Sequence, residues 1–181
     1  MRSIMIRGLA ALALAFASSA AFAWPCDFLT GGGFIVPNGA KANFGVGGGC
    51  KHGTPTWGHL EYIDHASGLN VHVIAVTAYM EESSGTDDKG RLIGSRLVCG
   101  TARTNFFGDV DYVLRAKDSG EPGTTDEFDI RLKKNGVVVY TTEGPGFPHK
   151  LNNGSGGGGN IQLHKPNPST TGNFGGSCPA L

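Results

Sequence analysis

The chain has 181 residues, 30 of them glycine, and its 15 Lys and Arg balance its 15 Asp and Glu. That balance leaves no basic face to neutralise phosphates, which argues against a nucleic-acid partner. After residue 23 no run approaches the roughly 20 apolar residues of a membrane-spanning helix, so no membrane span is expected.

In chain order, Arg2 and Arg7 precede an apolar run, Leu9 to Phe16, and the segment closes on Ala21-Phe22-Ala23. A basic start, a short apolar stretch and a small-x-small end read as a secretory signal peptide over 1–23, cleaved after Ala23. The expected working chain starts at Trp24, carries 13 Lys and Arg against 15 Asp and Glu, and so has net charge −2. It is expected to be secreted, acting in the extracellular or periplasmic space. Residues 24–165 have the length of one ordinary domain. Residues 166–181 form a Pro/Ser/Gly-rich tail, expected to be poorly ordered apart from Cys178.

Within the domain, glycine clusters at Gly31-Gly32-Gly33, Gly47-Gly48-Gly49 and Gly156 to Gly159 separate short alternating runs, and no apolar period lasts three helical turns. This pattern predicts an all-β fold, an antiparallel β-sandwich of jelly-roll or immunoglobulin-like type. Phe34 to Phe44 supplies one or two strands. A hairpin spans His59 to Met80, turning at Ser67-Gly68. It puts Leu60, Tyr62, Val71, Val73 and Ala75 on one face and His59, Glu61, Ile63, His65, Asn70, His72 and Ile74 on the other. Glu81 to Gly90 reads as a surface loop. Arg96 to Arg103, a strand built on Val110, Tyr112, Leu114 and Ala116, and Asn160 to Lys165 follow. The clearest hairpin is Phe128 to Thr142, because Asn135-Gly136 accepts the positive φ of a type I′ turn. That turn sets Leu132 opposite Val139 and Ile130 opposite Thr141, with Phe128, Ile130, Leu132, Val137 and Val139 facing inward.

Four cysteines in an exported chain read as two disulfides with three possible connectivities. Cys26 and Cys178 flank the domain, and domain ends often lie close together. The favoured pairing is therefore Cys26–Cys178 with Cys50–Cys99; the alternative leaves Cys178 free or bonded to another molecule.

Several strings recur together: Thr30-Gly31-Gly32-Gly33-Phe34-Ile35, Gly39 to Gly45, Gly100-Thr101-Ala102, Asp118 to Gly123 and Gly159-Asn160-Ile161-Gln162-Leu163-His164-Lys165. Their order resembles the post-COAP-1 domain family of secreted bacterial domains, from about Phe28 to Lys165. The resemblance implies an exported β-rich domain with surface association, and it carries over no established enzymatic activity. Against the multidomain pattern of that family, this chain is expected to stand alone, without an anchor module.

Three constellations could carry chemistry. His59, Glu61 and His72, with His52 and His65 nearby, could bind zinc through imidazole and carboxylate; the alternative is a solvated sheet face. Asp118, Glu121 and Asp126 lie on a glycine-bearing loop that could wrap calcium, an ion that takes six to eight oxygens. The loop departs from the EF-hand spacing, and its alternative is a turn in which carboxylates cap backbone N–H groups. Trp57, Tyr62, Tyr79, Phe106 and Phe107 could form a sugar- or peptide-binding platform, or belong to the core. No Gly-x-Ser-x-Gly elbow and no P-loop is present. The expected function is a secreted, non-enzymatic structural or interaction module whose partner is a cell-surface polymer or protein. The alternative is a secreted hydrolase using His59 and Glu61, with or without a metal.

Overall fold

The computed structural model describes residues 26–152, 154, 156–170 and 172–181. The expected signal peptide and Trp24 lie outside the described residues. Ten strands follow one another: β1 Phe28–Ile35, β2 Ala42–Lys51, β3 Thr54–Asp64, β4 Leu69–Thr86, β5 Leu92–Thr104, β6 Gly108–Asp118, β7 Glu127–Lys134, β8 Val137–Thr141, β9 Gly158–His164 and the two-residue β10 Gly175–Gly176. All pairings are antiparallel, and the order across the sheet is β8-β7-β6-β5-β4-β3-β2-β1-β9, with β10 on β4. The antiparallel all-β expectation holds. A sandwich would divide these strands between two sheets; here a single meander curls into a half-barrel.

The alternation of apolar residues makes the curl. Leu29, Val46, Leu60, Tyr62, Val98, Tyr112, Leu114, Ile130, Leu132, Ile161 and Leu163 all point inward and are buried. The curl brings β2 against β7, where Phe44 and Phe128 stack with centroids 3.9 Å apart. Tyr62 and Tyr140 share a 2.6 Å hydroxyl–hydroxyl bond across the same space. Burying side chains of this size stabilises by about 1.5–3 kcal/mol each, so the filled interior carries the fold.

The His59–Met80 hairpin keeps its expected register near the turn, with Glu61 opposite His72 and Tyr62 opposite Val71; a bulge between Val73 and Ala75 then turns Ala75, expected inward, out to solvent and buries Val76 instead. In the second hairpin Asn135 and Gly136 adopt φ of 52° and 79°, as the I′ turn requires. A bulge at Leu132/Lys133 then shifts the pairing, so Leu132 faces Tyr140 and Arg131 faces Thr141. The extra residue turns Val137 outward, 64 % exposed, so it does not join the inward face. Residues 81–86, expected in a loop, extend β4 into a projecting hairpin with β5. Its polar composition reflects water on both faces, and Asp87 Oδ1 closes its turn by accepting the N–H groups of Lys89 and Arg91.

The cysteine pairing is corrected to Cys26–Cys50 and Cys99–Cys178. Antiparallel β1 and β2 bring Phe28 opposite Gly49, which sets Cys50 beside Cys26. Cys50 and Cys99 sit on β2 and β5, with two strands between them. The C-terminal segment is not a loose tail: Gly176 pairs with Ala78, Cys178 is bonded to Cys99, and Ala180 is fully buried. Two disulfides fit an oxidising compartment, and no helix among the described residues is long and apolar enough to cross a membrane.

Candidate functional site

The predicted acidic loop is built, but its carboxylates do not converge on a point. Asp118 Oδ1 accepts the N–H of Gly120 at 2.7 Å and its Oδ2 that of Leu163 at 2.8 Å. Asp126, fully buried, accepts Ser119 N–H at 2.9 Å and Ile161 N–H at 2.7 Å. Glu121 points elsewhere and accepts from Asn160 Nδ2 at 3.3 Å. Leu163 and Ile161 belong to β9, so the two aspartates tie the loop after β6 to the free edge of the sheet. Burial, with the charges of Asp118 and Glu121, pushes the Asp126 carboxyl up to about 6, against the pull of its two N–H donors.

The histidine constellation is also built as an open face. His59, Glu61, Ile63, His65, Asn70, His72 and Ile74 are all exposed on the outer side of β3 and β4. Glu61 accepts from His72 Nδ1, and His65 Nε2 bonds Asn43 Oδ1 at 2.7 Å. Among the described residues no three His, Cys, Asp or Glu side chains are grouped to hold a metal ion, at this face or in the acidic loop. The proposed aromatic platform divides: Tyr62 and Tyr79 are fully buried, whereas Trp57 and Phe106 are exposed. Lys51 lies over the Trp57 ring, its Nζ 5.6 Å from the centroid.

A different constellation lies between the projecting β4–β5 hairpin and the C-terminal segment. Arg96, wholly buried, donates Nη2–H to Asp27 Oδ2 at 2.5 Å and Nε–H to Asp27 Oδ1 at 3.2 Å. Its remaining donors reach Ser83 O at 2.5 Å, Ser95 O at 2.8 Å and Ser84 Oγ at 2.9 Å. Burial opposes the Arg96 charge, yet Asp27, Tyr79 and Glu81 hold its pKa above the ordinary value. Tyr79 donates to Asp27 Oδ1 at 2.7 Å, and burial beside that carboxylate raises the phenol. Phe174 lies over the guanidinium at 5.1 Å. Above this floor opens a groove of about 740 Å³ between Thr86, Leu92, Pro166 and Phe174, with Glu81 and Lys165 at its margin. Its size falls within the range of small-molecule and peptide sites.

Sequence reasoning missed this network, although a signal for it existed. Arg96 shares its strand parity with Val98, Gly100 and Ala102, so alternation alone places it inside. Asp27 likewise shares parity with Leu29. A second buried pair joins β7 to the segment after β8. His149 Nδ1 bonds Asp129 Oδ1 at 2.7 Å, and Thr142 Oγ1 donates to the same oxygen at 3.0 Å. This resembles the acid–imidazole half of a catalytic triad, but His149 Nε2 is buried and has no hydrogen-bond partner among the described residues. Compared with known protein families, curated proteins and solved structures, the chain matches none.

Proposed function

We propose that this chain is an exported, disulfide-stapled β-module that binds a partner outside the cell and performs no catalysis. One observation carries the reading. The residues a hydrolase would use, His59 and Glu61, stand on an open convex face, whereas the enclosed space beneath the sheet is filled with apolar side chains. Catalysis needs reacting groups to converge around a substrate in a site that excludes water, and an open sheet face does neither. The groove over Arg96 is the better binding surface. Its floor is rigid, because every Arg96 donor group is matched, and its walls are mostly carbon. The two disulfides, Cys26–Cys50 and Cys99–Cys178, suit the oxidising environment that export implies.

The test is co-sedimentation of the purified chain with an insoluble cell-envelope polymer fraction, alongside release assays on the same material. Thr86→Trp, which places an indole at the groove, should reduce sedimentation about tenfold or more while leaving the fold intact. Release of soluble fragments by the wild-type chain, abolished in Glu61→Gln, would overturn the binding reading in favour of a hydrolase.

A further inference from the structure

We propose that the C-terminal segment from residue 173 onward is a redox-released strap: reduction of Cys99–Cys178 by an extracytoplasmic dithiol frees it and opens the groove over Arg96, while Cys26–Cys50 stays bonded. The release follows from the attachments of the strap itself; its bearing on binding rests on the groove reading above. Phe174 supplies both a wall of the groove and the cover of its floor. Its ring lies 5.1 Å from the Arg96 guanidinium and 5.6 Å from the Tyr79 ring. A segment that carries Phe174 away therefore takes the groove apart.

The noncovalent hold on this segment is slight. Gly175 and Gly176 pair with Tyr79 and Ala78, Ser177 N–H donates to Thr77 O at 3.1 Å, and Thr77 Oγ1 donates to Ser177 O at 2.7 Å. Beyond them Ala180 is buried and Lys133 Nζ donates to Leu181 O. Against these bonds stands the freedom of a chain end that contains Gly175 and Gly176, and glycine loses more freedom on ordering than any other residue. The Cys99–Cys178 bond offsets that cost. It closes a loop of sequence separation 79, against 24 for Cys26–Cys50, and the longer loop gives the larger entropic gain. Upstream the chain is held separately, by Cys26 N–H on Gly172 O and His52 N–H on Ser169 O, both at 3.1 Å, so the release stops there.

Access selects the same bond. Cys26, Cys50 and Cys99 are wholly buried, whereas Cys178 is half-buried and flanked by exposed Ser177 and Pro179. A thiolate of the reductant attacks Cys178 Sγ, the S–S bond breaks, and Cys99 leaves with the electron pair and takes up a proton. The second thiol of the reductant then displaces Cys178 and gives it a proton, and the reductant ends as a disulfide.

Graded dithiothreitol on the whole native chain, followed by pulse alkylation and peptide mass mapping, tests this. Cys99 and Cys178 should be labelled at least about tenfold faster than Cys26 and Cys50, because exchange follows access. Chymotrypsin, which cuts after accessible aromatic residues, should then cut at Phe174 in the reduced chain and spare that bond in the oxidised one. The double variant Cys99→Ser/Cys178→Ser should be cut at Phe174 without reductant, while its far-ultraviolet circular dichroism stays that of the wild type. Equal labelling of the two pairs, or a reduced chain whose Phe174 stays protected, would overturn the inference. A strap that is released with envelope sedimentation unaltered would leave the release standing and remove the groove as the binding surface.

Discussion

The two edges of the sheet are finished in opposite ways. At β9 two buried aspartates accept the outward N–H groups of Ile161 and Leu163, so the strand cannot recruit another. At β8 nothing among the described residues occupies the outward backbone, and the side chains are three valines, a tyrosine and a threonine. The contrast shows that edge protection follows from where carboxylates can be aimed. The loop between β6 and β7 passes beside β9 because the half-barrel curls it there, and its Asp118 and Asp126 find backbone donors ready. No acidic loop passes β8.

The largest effect should separate the edges directly. Asp126→Ala leaves the buried N–H groups of Ser119 and Ile161 without acceptors. At about 1–3 kcal/mol per orphaned buried group, the loss near pH 5 should be about 3 kcal/mol by urea titration. Val137→Thr on β8 removes no hydrogen bond and exposes no new apolar surface, so it should stay within about 0.5 kcal/mol. Equal losses at the two positions would mean that the aspartates do not hold the β9 edge.

The pH dependence sharpens the same contrast. In the folded chain burial raises Asp126 from 3.8 to about 6. A carboxyl raised on folding favours the native state most when protonated. Its contribution is therefore full below about pH 4 and is lost as pH rises through about 6. A shift of this size is worth on the order of 3 kcal/mol between those limits. The cost of Asp126→Ala should accordingly shrink between pH 4.5 and 7.5, while Val137→Thr shows no such trend. Paired denaturation curves at the two pH values decide the matter. A cost that grows with pH would mean that the backbone donors, which favour the carboxylate, outweigh burial.

Much of this architecture was legible in the residues. Strand parity placed Leu60, Tyr62, Tyr112, Leu114, Ile130 and Leu132 inside, and Asn135-Gly136 located the second hairpin, because both signals depend on local backbone geometry. What escaped depends on long-range placement. The Cys99–Cys178 bond needs the C-terminal segment to cross β4, which no local pattern reports. A single bulge moved the register of β8 by one residue and exposed Val137. The acidic loop read as a choice between an ion site and a set of turn caps, and its hydrogen bonds are those of caps. That the caps reach across to β9, and not only into their own turn, follows from the curl of the sheet. Arg96 and Asp27 escaped although their parity was plain, because an inward Arg is improbable until its partner is known.

The smallest effect concerns a polar group that neither edge serves. Tyr112 lies wholly inside the half-barrel, and among the described residues its hydroxyl has no hydrogen-bond partner. Burial raises the phenol well above its ordinary value, so the ring stays neutral and the cost is that of an unmatched O–H. Tyr62 and Tyr140, in the same interior, avoid that cost by bonding each other and Asp64. Tyr112→Phe keeps the ring and removes only the orphaned group. It should stabilise the protein by about 1 kcal/mol, whereas Tyr62→Phe, which breaks a 2.6 Å bond, should destabilise it by a similar amount. Thermal unfolding of the two variants beside the wild type reads both signs. If Tyr112→Phe lowers the melting temperature, the hydroxyl is held by an internal water and the interior is wetter than its side chains suggest.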